Sequence, residues 1–191
     1  MLNLIIIGAP GSGKGTQAEL IQENFGLRHF STGAQIRREI AAGTEIGILV
    51  KDCVARGELV SDDLVNKVVE SAISQDKEGL IFDGYPRSIA QEEILDQLLS
   101  KYHETPLRAF IYLDVRKELL LERIIERGKT SGRADDTPEV FEDRYRAYLK
   151  ETQPLIDSYR KKGILVEVDG NGTPEDIYNN SVKPLMESYL K

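Results

Sequence analysis

The sequence predicts an α/β fold, a five-stranded parallel sheet flanked by helices, with a small helical insert and a short lid. Three observations predict it. Four short apolar runs are spaced along the chain, helix-period stretches lie between them, and a glycine-rich turn stands directly behind the first run. Strands of continuous apolar character are buried on both faces, as in a parallel sheet covered by helices.

Taken in order, the first strand is "LNLIIIG" at 2–8, followed by the turn "GAPGSGKGTQ" at 8–17. A helix over 14–25 is predicted from Ala18, Ile21 and Phe25 at helical spacing, with Gly26 as its stop. "LRHF" at 27–30 is a weaker strand. Residues 31–75 hold three helices with no strand between them, which predicts the insert. "LIFDG" at 80–84, "AFIYLDV" at 109–115 and "ILVEVDG" at 164–170 complete the sheet. "SIAQ" at 88–91 has capping-box spacing, Ser88 as N-cap and Gln91 reaching back to it. "GKTSGRADDT" at 128–137 is polar, glycine-rich and long for a connection, hence a candidate lid. Over 138–162 one stripe carries Phe141, Tyr145, Tyr148, Leu149, Thr152, Ile156 and Tyr159, with a kink expected at Pro154. Thr137-Pro138 and Thr173-Pro174 read as N-caps followed by first-turn prolines.

Composition narrows the function. At 191 residues the chain supports one well-buried core. A net charge of −7 argues against nucleic acid as partner, whereas a polyanionic small molecule needs only a local cluster of cations. The single cysteine, Cys53, excludes an internal disulfide and a cysteine zinc cage, and is expected to be a packed, inert thiol. The opening apolar run lacks a basic leader and is too short to span a bilayer, so no membrane role and a cytoplasmic location are expected.

The turn fits G-x-x-x-x-G-K at Gly8, Gly13 and Lys14. Its glycines let backbone N–H groups converge on an anion, the next helix adds its positive end, and Lys14 supplies a point charge. The hydroxyl residue comes second after the lysine, Thr16 following Gly15. The predicted ligand is a nucleoside triphosphate. Asp83, ending a buried strand, stands where a carboxylate holds Mg²⁺ through water. No H-x-D base is present, and His29 and His103 are expected to be structural or solvated. Asn66-Lys67 lacks the aspartate of a guanine-reading motif. The chain instead offers Arg37, Arg87, Arg127, Arg133 and Arg144. Such a set suits an acceptor that is itself a phosphate. Its oxygen is already anionic, so it needs relief from repulsion rather than a base. Arg123 is expected to pair with Glu126 on its own helix.

With these residues assembled, the chain resembles the adenylate kinases of the short-lid form, of the P-loop NTPase type. The likeness rests on "GAPGSGKGTQ", "STGAQIRR", "GELVSDDLV", "FDGYPRSIAQ", "LLERIIERGKTSGRADDT" and "FEDRYRAYLKETQPLI". It implies a core of 1–30, 61–126 and 138–191, a mobile monophosphate-binding insert at 31–60 and a lid at 127–137. It implies that Gly11, Ser12, Gly13, Lys14, Gly15 and Thr16 hold ATP phosphates, with Arg127 on the ATP side and a backbone contact at Gly172 to the adenine. AMP would be met by Thr32, Arg37, Glu58, Leu59, Val60, Gly84, Tyr85, Pro86, Arg87 and Gln91, while Arg133 and Arg144 bridge both phosphate groups. Gln91 thereby becomes an adenine-reading amide as well as a candidate cap. Related pyrimidine-monophosphate kinases usually carry asparagine at position 91 and alanine at 32, so both residues here favour AMP. Two departures are visible: Ala34 stands where the family has aspartate, and the short cysteine-free lid excludes zinc. The expected reaction is MgATP + AMP ⇌ MgADP + ADP by a monomer, its rivals being a UMP/CMP kinase and a non-catalytic ATP-binding switch.

Overall fold

The computed structural model describes residues 1–56, 60–76, 78–131, 133 and 135–190. Every expected strand forms: β1 (Asn3–Ile7), β2 (Arg28–Ser31), β3 (Leu80–Asp83), β4 (Leu107–Asp114) and β5 (Leu165–Asp169). They pair in the order β2-β3-β1-β4-β5, each neighbour parallel. β1 is central, with Ile6 in register with Asp83 of β3 on one side and Ile111 of β4 on the other. Ligands of such sheets bind at the carboxyl ends of the strands, and β1 there empties into the phosphate turn.

Side chains of β1 alternate between two cores. Ile5 and Ile7 pack with Val69 and Ile73 of α4 (Asp62–Gln75), Leu95 and Leu99 of α5 (Ile89–Tyr102), and Tyr159 of α8 (Gln153–Lys161). Leu4 and Ile6 pack with Ala18 and Ile21 of α1 (Lys14–Phe25) and Met186 of α10 (Lys183–Tyr189). The latter face is completed by Ile177 of α9 (Pro174–Ile177) and by Tyr178 and Val182 of the π turn that follows it. All four β1 residues are essentially inaccessible. Each such aliphatic chain contributes about 1.5–3 kcal/mol through burial. A third cluster, Ala9, Leu120, Ile124, Phe141 and Tyr148, ties the phosphate turn to the helices that flank the candidate lid.

Past Ser31, the described residues up to 75 form three helices with no strand between them, as expected: α2 (Thr32–Ala42), α3 (Glu45–Ala55) and α4. Ser31 Oγ caps α2 at Ala34 N–H, and Thr44 Oγ1 caps α3 at Gly47 N–H. Cys53 in α3 is half-buried rather than packed away. His103 is structural: its ring lies between Asn3 Oδ1 at 3.1 Å and Ile73 O at 3.0 Å.

Two local expectations need correction, the start of the lid loop and the place of Leu149. The lid loop begins later, because α6 (Lys117–Ser131) runs through Arg127 to Ser131. A Lys129–Glu126 pair on one face and a lysine in the last turn favour the added helix. The kink before Pro154 takes the form of a π turn, Tyr148–Thr152, between α7 (Pro138–Ala147) and α8. Its extra residue shifts the helical phase, so Tyr148 and Thr152 stay buried while Leu149 leaves the stripe at 44% exposure. Both Thr-Pro caps form, Thr137 Oγ1 accepting from Val140 N–H and Thr173 Oγ1 from Asp176 N–H. Among the described residues no helix is long and apolar enough to cross a membrane.

Candidate functional site

The turn after β1 is shaped by glycine. Gly11 and Gly13 lie at φ 87° and 88°, in the left-handed region, and a Cβ at Gly11 would stand 2.7 Å from Leu120 O. Ser12 N–H closes the turn onto Ala9 O at 3.0 Å. Gly13 begins α1 with no side-chain cap, which leaves the first-turn N–H groups of Lys14, Gly15 and Thr16 for an anion.

Lys14 makes no side-chain hydrogen bond or ion pair among the described residues. Burial draws its amine down to about 8, a shift opposed by Asp83 and reinforced by Arg87, Arg144 and Arg127. Asp83, at the end of β3, is 7% exposed. Burial pushes its carboxyl up, yet the hydrogen bond from His29 and the charge of Lys14 outweigh that and hold it below its ordinary value. His29 Nε2 lies 3.2 Å from Asp83 Oδ2, a structural role of the kind expected for it, and steadies that carboxylate. A Cβ added to Gly15 would stand 3.5 Å from the same oxygen, which fixes how close the carboxylate is to the phosphate turn.

On the other side of the cleft, buried Thr32 donates its hydroxyl to Gly84 O at 3.1 Å. Arg87 Nε donates to Gly84 O at 2.7 Å. Burial, chiefly, and the neighbouring charges of Arg144 and Arg37 draw the Arg87 guanidinium down to about 10. Arg37 is lowered too, by burial first and then by Arg133. The Gln91 side chain does not reach back to Ser88. Its oxygen accepts from Arg87 N–H at 2.8 Å and its amide donates to Asp62 Oδ1 at 2.5 Å, while Ser88 Oγ still caps Gln91 N–H. Only half of the capping box therefore forms. Val60 lines the cleft; Glu58 and Leu59 lie outside the described residues. The Tyr85 side chain turns into the core, its hydroxyl donating to Asn66 Oδ1 at 2.7 Å, and Pro86 is buried behind it.

Above the cleft, Arg127 grips Asp136 with two bonds of 2.7 and 2.6 Å, and Arg144 Nη1 donates to Asp135 Oδ2 at 2.6 Å. Arg133 acts through its charge on both Arg37 and Arg144. Asp135 and Asp136 carry no signal in spacing that would pair them with these arginines. Arg123 also departs from expectation. Glu126 pairs with Lys129, and Arg123 instead donates to Ser12 O at 3.4 Å, Gly170 O at 3.0 Å and Gly172 O at 2.9 Å. It thus ties the phosphate turn to the exposed loop after β5. Three backbone carbonyls satisfy a guanidinium better than one exposed carboxylate does.

The result is an open cleft lined by Lys14, Thr32, Val60, Arg87, Gln91 and Arg144. Its cations converge with no nucleophilic serine or cysteine among its lining residues. A site of that kind neutralises phosphates rather than attacking a substrate. The sequence model of the adenylate kinase family matches residues 6–164. The chain belongs to the adenylate kinase family. It is 44% identical over 186 residues to an adenylate kinase of Xanthomonas euvesicatoria pv. vesicatoria, covering 96% of this chain and 99% of the relative. It is 47% identical over 178 residues to one of Stenotrophomonas maltophilia (strain K279a), covering 92% and 95%. Like its family, this adenylate kinase is a phosphotransferase that moves a phosphoryl group reversibly between ATP and AMP, and the UMP/CMP and switch readings are not favoured. Among the described residues no group of three or more His, Cys, Asp or Glu is placed to hold a metal ion.

Proposed function

We propose that Lys14 and the backbone of Gly11–Thr16 hold the ATP phosphates, with Arg127 beside them and Gly172 at the adenine. Thr32, Arg37, Val60, Gly84–Arg87 and Gln91 receive AMP, and Arg133 and Arg144 serve both phosphate groups. The observation that carries this assignment is electrostatic. Lys14, Arg87 and Arg144 line one cleft, and the charges of Arg37 and Arg127 act on that set.

An AMP phosphate oxygen attacks the γ-phosphorus in line; the new P–O bond forms as the bond to the β–γ bridging oxygen breaks, leaving ADP on each side. No proton need be removed from the nucleophile, in keeping with a site whose lining residues include no histidine. Lys14 and the guanidinium groups stabilise the charge spread over the transferring group, and fixed positions replace a bimolecular search. The ionised Asp83 carboxylate, adjacent to the phosphate turn, fits Mg²⁺ held through water, since that ion keeps several waters and takes one or two carboxylates with phosphate oxygens. Magnesium bound with ATP supplies neutralisation of the β- and γ-phosphate oxygens. Closure of the lid, 127–137, over the insert, 31–60, keeps water from competing as acceptor. We take the working form to be a cytoplasmic monomer acting on ATP, ADP and AMP, without nucleic acid, membrane or zinc.

Incubation with MgADP alone tests the activity. Equal amounts of ATP and AMP are expected by phosphorus NMR. A protein that binds MgADP yet forms neither is not using its second phosphate site.

A further inference from the structure

The π turn Tyr148–Thr152 does more than accommodate Pro154. Gln153 N–H donates to Tyr148 O, five residues back, and the proline that follows has no N–H to continue the ladder. π turns often coincide with functional sites, and this one lines the cleft with both Tyr148 and Thr152. Thr152 is 5% exposed, and its hydroxyl donates to the backbone carbonyl of Arg87 at 3.0 Å, across 65 residues of sequence.

Arg87 is thereby held at three points. Its N–H donates to Gln91 Oε1, its Nε to Gly84 O, and its carbonyl accepts from Thr152. Nη1 and Nη2 make no hydrogen bond among the described residues. Those two groups form the fork that a phosphate would take. The hold has a physical purpose, because Arg144 and Lys14 face the same cleft and repel Arg87. Arg144 lies on α7, the helix that leads into the turn, so one rod carries a cleft cation and the anchor of another.

We propose that Thr152, presented by the π turn, is a positioning residue for phosphoryl transfer: it pins the Arg87 backbone so that the two free guanidinium amino groups stay aimed at the acceptor phosphate. The inference rests on the reading of Arg87 as an acceptor-phosphate ligand. Steady-state kinetics of the full chain test it, with AMP varied at saturating MgATP and the reverse, alongside thermal melts. Thr152→Val is expected to raise KM for AMP roughly threefold to tenfold, the worth of one buried neutral hydrogen bond. KM for ATP should stay within about twofold of wild type. Thr152→Ser should restore wild-type behaviour. Thr152→Ala, which sets no second methyl against the Arg87 carbonyl, should repeat the defect even if the valine variant does not fold. The inference is overturned if Thr152→Ala lowers the melting temperature while leaving KM for AMP unmoved, if both KM values rise together, or if serine fails to rescue. Arg87→Ala separates the two levels. An unchanged KM for AMP there removes the reading of Arg87 itself, whereas a raised KM beside a silent Thr152→Ala removes only the role of Thr152.

Discussion

The cations on the floor of the cleft and those beneath the lid are held in opposite ways. Lys14, at the start of α1, and Arg87, on the loop leaving β3, have no carboxylate partner among the described residues, and Arg87 is steadied by a carbonyl and an amide. Arg127 and Arg144, on α6 and α7, are already engaged by Asp136 and Asp135. Floor charge is therefore fixed by the scaffold and stays available, at the cost of desolvation that pulls both groups down. Lid charge is neutralised by its own carboxylates until a stronger anion competes. A phosphate carries more charge and more acceptor oxygens than a carboxylate, so it can take over such a pair. On the proposed assignment, nucleotide arrival is capture on the floor and exchange under the lid. Without the aspartates, all the cations would repel one another in the empty cleft.

The sharpest way to break this contrast is to remove the floor. Lys14→Ala should lower kcat roughly 10²–10³-fold, the usual loss when one fixed donor to a developing anion is deleted. Arg87→Ala should act mainly through AMP. A hydrogen bond to a charged group is worth about 1.5–3 kcal/mol, which corresponds to a KM for AMP raised ~10–150-fold with KM for ATP little changed. Normal AMP kinetics in the Arg87 variant would refute the assignment of two separate phosphate sites. A smaller effect is expected under the lid. Asp136→Asn takes away one side of a bidentate pair whose carboxylate is fully buried and whose arginine is 34% exposed. The nucleotide-free protein should lose about 1–3 kcal/mol, or roughly 3–10 °C in melting temperature. Saturating MgATP should recover much of that loss, because phosphate replaces the missing partner. Equal losses with and without nucleotide would show that Asp136 is only structural.

The same division separates what was legible in the sequence from what was not. The strands could be read because burial on both faces leaves a continuous apolar run, as in "LNLIIIG". The phosphate turn could be read because its chemistry is local, Gly8 answering to a close approach and Gly11 and Gly13 to backbone angles. The side-chain settings of the site are set by distant partners. Gln91 has capping-box spacing, yet Asp62, 29 residues away, holds its amide. Arg123 has a glutamate one turn along, yet its partners are three carbonyls, which no residue type encodes. Asp135 and Asp136 stand in a lid sequence whose polarity predicts a loop, and nothing in the spacing ties them to arginines on two different helices. Leu149 left its stripe because a π turn adds a residue that a 3.6-residue period does not count.

The smallest expected effect concerns protons, and its sign follows from Lys14. Burial lowers its amine from 10.5 to about 8 in the nucleotide-free protein, while the unfolded chain keeps the ordinary value. Between those values the unfolded state binds more protons than the folded one, so stability from this group rises as pH climbs from about 8 towards 10.5. Below pH 8 the penalty of the buried charge is present in full. ATP phosphates against Lys14 favour the ammonium and move it back upwards, so the complex holds a proton that the free protein has shed. Donor affinity should therefore weaken as pH rises above about 8. Calorimetry at pH 9 in two buffers of different ionisation enthalpy should show uptake approaching about one proton per nucleotide bound. ATP itself has no titration in that range, and Lys14→Met should abolish the uptake while leaving the rest of the floor in place. Equal binding enthalpies in the two buffers for the wild type would mean that Lys14 is already charged in the empty cleft, and the floor would then be no less neutralised than the lid.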